Sequence, residues 1–129
     1  MIQHIVLCKI RAEVSADEVA AIWAALDAVR DVVPGMGAAS FGENVSPEGL
    51  ARGYTHGFVI AFEDAAARDA YLVAPEHKAA GARLVAACEG GVEGVSAGPG
   101  APGGLSSGQT EAETGGAPGP AILVMDIET

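Results

Sequence analysis

Gly53-Tyr54-Thr55-His56-Gly57-Phe58-Val59-Ile60-Ala61-Phe62-Glu63-Asp64 (53–64) is the stretch that decides the fold of this chain. From Thr55 to Phe62 it reads as a strong strand, with His56, Phe58, Ile60 and Phe62 on one face. Asp64 follows as a helix N-cap, because its carboxylate can accept from the free backbone N–H groups of a first turn. The helix it opens runs to about Val73. Pro75 then forces a break, since proline has no N–H to donate and its ring clashes with the preceding turn. A second helical piece runs from Glu76 to about Cys88.

The segments on either side complete the pattern. Ile2 to Ile10 alternates as a strand, with His4, Val6, Cys8 and Ile10 on one face. Ser15-Ala16-Asp17-Glu18 has the form of a capping box. The helix it opens carries an apolar stripe of Val19, Ile22, Trp23, Leu26 and Val29, spaced three and four apart. Pro34-Gly35 ends that element, and Ala38 to Asn44 is a second, weaker strand. Ser46-Pro47-Glu48-Gly49 is loop chemistry, and Ala121 to Glu128 is a last strand.

The order β-α-β-β-α-β predicts an α+β, ferredoxin-like fold: an antiparallel four-stranded sheet with two helices on one face. Right-handed crossovers put both helices on the same side. The other face, with Ile5, Leu7, Val59, Ala61, Leu123 and Met125, is left bare and apolar. A bare apolar face of this size calls for a cover, so a homodimer is expected.

Composition narrows the function classes. At 129 residues the chain reads as a single domain, 1–129. Residues 94–120 hold nine of the 18 Gly and four of the seven Pro, with no aromatic residue, and read as a flexible insertion before the last strand. The net charge is −10, and the few basic residues (Lys9, Arg11, Arg30, Arg52, Arg68, Lys78, Arg83) are scattered. That argues against nucleic acid and against a membrane surface as partners. No apolar run approaches the ~20 residues of a membrane span. The start Met1-Ile2-Gln3-His4 has no basic signal-peptide region. Cys8 and Cys88 have no metal spacing, and a reduced, cytoplasmic protein is the simple expectation.

The chemistry-bearing residues are few. The chain has three His and two Tyr, and His56, His77, Tyr54 and Tyr71 fall within 25 residues. His77 shares a helical stripe with Gly81, Leu84 and Cys88, so it faces the sheet, and Gly81 leaves open space beside it. A partly buried imidazole titrates near neutrality and can act as a general base; a hydrogen-bonded structural role is the alternative. Tyr71, on the other side of the Pro75 break, offers a phenol that can stabilise a developing oxyanion or simply pack at the core edge. His4 and His56 begin adjacent antiparallel strands and sit toward opposite ends of the sheet. They line a pocket or serve structure, and do not share a metal. Tyr54 reads as dimer-face or rim packing. Cys8 is four residues from His4, roughly 13 Å along a strand, too far for a thiolate–imidazole pair. No phosphate loop, zinc spacing or nucleophile elbow is present.

Taken together, His4-Ile5-Val6-Leu7, Gly42-Glu43-Asn44, Gly53-Tyr54-Thr55-His56, Phe62-Glu63, Tyr71, Pro75-Glu76-His77 and Val124-Met125-Asp126 resemble the stress-responsive A/B barrel, or Dabb, family. The resemblance implies a dimeric α/β barrel. One plant member, olivetolic acid cyclase, closes a polyketide by aldol condensation without metal or organic cofactor. By that resemblance Tyr71 and His77 are the catalytic pair, His4 and His56 match its other His positions, and Leu26 replaces a pocket Tyr. The implied function is a cofactor-independent lyase, cyclase or isomerase acting on a small apolar, polyketide-like carbonyl compound. The expected pocket is lined by Val6, Leu26, Phe58, Ile60, Leu84 and Val124, with His4, His56 and Gly81. A non-catalytic stress-related or small-ligand-binding dimer is the alternative, and a cofactor-free oxygenase a further one. No cofactor or metal is expected.

Overall fold

The computed structural model describes residues 1–96 and 119–129. In chain order the elements are β1 (Ile2–Cys8), α1 (Ala16–Asp27), a 3-10 turn (Ala28–Asp31), β2 (Met36–Glu43), β3 (His56–Phe62), α2 (Ala65–Val73), α3 (Pro75–Ala87), α4 (Gly91–Ser96) and β4 (Ile122–Glu128).

The helix starts follow their caps. The Ser15 hydroxyl accepts from the Glu18 N–H at 3.1 Å, and Asp64 accepts from the Ala67 N–H at 2.9 Å. A capping box would also turn the Glu18 carboxylate back to its own first turn. Instead it takes a forked pair of hydrogen bonds from Arg83, at 2.7 and 2.8 Å, and ties α1 to α3. Ala74 is extended, as the residue before a proline prefers. Pro75 then starts α3 as its first residue, where a missing N–H costs nothing.

The sheet order is β2-β3-β1-β4, antiparallel throughout. β1 is thus flanked by β3 and β4, with His4 opposite Ile60 on one side and Asp126 on the other. Both crossover helices lie on the face that carries His4, Val6, Cys8, Phe58, Ile60 and Phe62. These residues are buried against Ile22 and Leu26 of α1, Tyr71 of α2, and Ala80 and Leu84 of α3. At Gly57 the backbone runs so close to β1 that an added Cβ would meet the Val6 carbonyl oxygen at 2.8 Å.

The opposite face is uncovered. The register lays Val59, Ile5 and Met125 in one row and puts Leu7 beside Leu123 in the next. Leu7, Val59, Leu123, Met125 and Ile127 are all exposed.

Most element ends fall within a residue or two of the expected ones; β1, for example, stops at Cys8, and Ile10 makes only an isolated bridge to Cys88. β2 begins at Met36, two residues before the expected Ala38, and its register against β3 shifts between Met36 and Ala39. Residues 94–96, counted by composition with the insertion, are the end of α4. Gly94 accounts for this, because a Cβ there would collide with the Glu89 carbonyl. Its own carbonyl accepts from Ala121 N–H at 3.0 Å, and Val95 packs on the core. Of the rest of the expected insertion, residues 97–118 lie outside the described residues and 119–120 lead into β4. Among the described residues no helix is long and apolar enough to cross a membrane.

Candidate active site

The helix break at Pro75 builds the site. It sets Tyr71, in the last turns of α2, against His77, in the first turn of α3, with ring centroids 4.2 Å apart. His4 of β1 approaches the same tyrosine edge-on, at 5.7 Å. The three rings meet at a cavity of about 390 Å³ between sheet and helices. Its apolar walls include Val6, Leu26, Phe58, Leu84 and Val124, and Gly81 opens one side. No atom lies within 4 Å of where a Gly81 Cβ would stand.

Two polar atoms here are buried without a hydrogen-bond partner: the Tyr71 hydroxyl and His77 Nδ1. Buried polar groups are almost always satisfied, and each orphan costs about 1–3 kcal/mol. Both therefore favour a ligand that brings polar atoms to them. Burial raises the Tyr71 pKa well above the ordinary phenol value, so the hydroxyl stays protonated and can donate. Burial lowers the His77 pKa; the Leu72 backbone pulls the other way, and the nearby His4 and Lys78 lower it further. His77 is thus a neutral imidazole at neutral pH, the form that accepts a proton.

His4 is 4% exposed and is held from behind. Its Nδ1 lies 2.7 Å from Asp126 Oδ1, while Asp126 Oδ2 accepts from the Arg68 guanidinium at 2.5 Å. Burial pushes the Asp126 carboxyl up, but the hydrogen bonds from His4 and Arg68 outweigh it and hold the pKa below the usual carboxylate value. An ionised Asp126 takes the Nδ1–H of His4, which leaves Nε2 as the nitrogen able to exchange a proton.

Neither Asp126 nor Arg68 was among the site residues expected from sequence. The available signal was a carboxylate on the helix-facing side of the last strand, where it needs a partner.

Two expected lining residues lie elsewhere. His56 pairs with Cys8, four residues along β1 from His4. Its Nδ1 is 2.7 Å from Thr55 Oγ1, and it borders a separate cavity of about 520 Å³ with Trp23 and Glu43. Among the described residues, that larger cavity has no orphaned buried side-chain atom on its wall. Ile60 is fully buried, opposite His4, and does not reach the smaller cavity. His4, Tyr71, His77, Val6, Leu26, Phe58, Gly81, Leu84 and Val124 do border it together.

Tyr54 is at the rim of the sheet, donating to the Pro120 carbonyl at 2.5 Å with the Lys9 ammonium over its ring. Cys8 and Cys88 are buried, and burial pushes their pKa values up to about 12 and about 11.

A four-stranded antiparallel sheet with both crossover helices on one face, and a pocket between the layers, defines a ferredoxin-like α+β protein. Within that class the chain belongs to the Stress responsive A/B Barrel Domain family, Dabb, whose model matches residues 2–93. A dimeric ferredoxin-like protein of unknown function from Jannaschia sp. CCS1 is similar at 29% identity and a TM-score of 0.71, over 99% of this chain and 98% of that one. The Arabidopsis thaliana protein At3g17210 is similar at 19% identity and a TM-score of 0.70, over 100% of this chain and 95% of that one. A hydroxynitrile lyase from Passiflora edulis is similar at 18% identity and a TM-score of 0.66, over 98% of this chain and 90% of that one. No curated protein matches.

Proposed function

We propose that this protein is a lyase, cyclase or isomerase that acts on a small apolar carbonyl compound by proton transfer alone, and that it works as a homodimer. The observation that carries the reading is the pair of unsatisfied buried atoms, Tyr71 Oη and His77 Nδ1, on the wall of an otherwise apolar cavity. A carbonyl group entering there takes the Tyr71 hydrogen bond on its oxygen. The neutral His77 removes a proton from the carbon α to that carbonyl. The C–H electron pair moves into the enolate, and the developing charge rests on the oxygen held by Tyr71. The His77 imidazolium then gives that proton back where the product needs one, and the open Nε2 of His4, whose ring Asp126 orients, is a second nitrogen that can take the proton and pass it on. If the enolate attacks a second carbonyl of the same molecule, a ring closes; if it is reprotonated, the substrate is isomerised. Run in reverse on a β-hydroxy carbonyl compound, the same groups cleave a C–C bond. None of these steps calls for a metal or a redox group. The Passiflora neighbour, named a hydroxynitrile lyase, lends the lyase direction some support at the level of fold.

The dimer reading rests on the uncovered apolar rows of β1, β3 and β4 and on the neighbours described as dimeric.

The test is turnover of a panel of small ketones, β-hydroxyketones and cyanohydrins. On any substrate found, His77→Ala and Tyr71→Phe should each lower kcat/KM by about 10²-fold or more, the usual worth of a general base or an oxyanion donor. If both variants keep the full rate, the mechanism is wrong. If compounds bind the cavity and none is turned over, the protein is a small-ligand binder.

A further inference from the structure

The substrate cavity has a charge opposite to that of the chain around it. The protein carries a net charge of −10, yet among the described residues no carboxylate lines this cavity. Its ionisable lining groups are His4, Tyr71, His77 and Lys78. Asp126, which touches the lining residue His4, is already held by His4 and Arg68. Glu76, in the same turn as Lys78, borders a different groove with Ala79 and Arg83. Arg30, Arg68 and Arg83 are each paired with a carboxylate, whereas Lys78 is in no ion pair among the described residues. Lys78 is exposed in the first turn of α3, next to His77, so its ammonium stands at the rim, while the lining residues Leu26, Phe58 and Leu84 are buried.

From this we infer that the substrate is an apolar carbonyl compound that also bears a carboxylate, and that Lys78 selects it by pairing with that carboxylate at the rim. The inference rests on the proposed reading of this cavity as the substrate site. The geometry separates the two ends of such a molecule. Its chain fills the cavity, its carbonyl reaches Tyr71 and His77, and its charge stays at the water boundary where an ammonium needs little desolvation. A protein that is acidic elsewhere repels such an anion in general, and a local cation is what brings it to one place. A charge-assisted hydrogen bond at a rim site supports roughly tenfold discrimination over a neutral analogue.

The experiment measures binding of octanoate and octanamide to the full chain by calorimetry, with the His77 ring proton shifts reporting occupancy of the cavity. The intact protein should bind octanoate about tenfold more tightly than octanamide. Lys78→Met should make the two equal, Lys78→Arg should keep the preference, and Lys78→Glu should reverse it. Gly81→Leu, which fills the cavity, should weaken both. Equal binding of the two probes by the intact protein, with the His77 shifts present, overturns the carboxylate inference and leaves the cavity reading standing. A preference for octanoate that survives Lys78→Met also overturns it. If neither probe moves the His77 shifts, both readings fall together.

Discussion

Replacing Gly81 with alanine should make this protein more stable. Gly81 sits inside α3, where glycine is worse than alanine by about 0.8–1 kcal/mol because it gives up more backbone freedom on folding. The usual reason to keep such a glycine is a close neighbour, and here no atom lies within 4 Å of the position a Cβ would take. No steric cost has to be subtracted, so the expected gain is about 0.4–1 kcal/mol. For a domain of this size that raises Tm by roughly 2–6 °C. Thermal unfolding followed by circular dichroism, with urea titration as a check, measures it. A fall in Tm would refute the reasoning, because it would mean the space beside Gly81 is already filled. Gly57 is the contrast: there an added Cβ meets the Val6 carbonyl oxygen at 2.8 Å, and the same substitution should cost about 1–3 kcal/mol. Gly81→Leu projects a whole side chain into the cavity and should weaken ligand binding while the fold persists.

Other outcomes follow from the same geometry. Because the His77 pKa is lowered in the folded state from 6.5, the folded protein binds fewer protons there than the unfolded chain does. Its contribution to stability should be full above about pH 6.5, decline as pH falls below it, and disappear from the pH profile in His77→Gln. The acid limb of any catalysed rate should likewise lie below pH 6.5. Cys8 and Cys88, with thiol pKa values near 12 and 11, should resist iodoacetamide at pH 8 in the native protein and react at once in urea; rapid native labelling would contradict their burial. Val59→Glu puts a charge in the middle of the uncovered apolar row and should convert a dimer to a monomer in analytical ultracentrifugation.

Much of the architecture was legible because single residues punctuate it. Ser15 and Asp64 cap the helices they were expected to cap, and Pro75 divides α2 from α3 where its missing N–H demands. The alternation in 55–62 put Phe58, Ile60 and Phe62 on the buried face.

The site was legible along the chain and less so across it. Tyr71 and His77 are six residues apart, and the break between them brings them together. His4 and Asp126 are 122 residues apart and meet only through the β1–β4 register, which no local pattern specifies. Ile60 lies opposite His4 in the β1–β3 register but is fully buried in the core and does not border the cavity. That register also explains His56, which begins β3 opposite Cys8 and faces another cavity. Composition groups 94–96 with the insertion for a different reason. Glycine there serves close packing against Glu89, and a Gly-rich stretch looks the same whether it packs or not.

The central claim is that Tyr71 and His77 together activate a carbonyl compound. Its most direct measurement is exchange of α-protons for deuterium in D2O, followed by proton NMR on 2-octanone with the intact protein, His77→Ala and Tyr71→Phe. The account predicts exchange above the buffer rate for the intact protein, and loss of that excess in both variants. Exchange at the buffer rate with the intact protein, while the ketone shifts the His77 ring resonances, would contradict it.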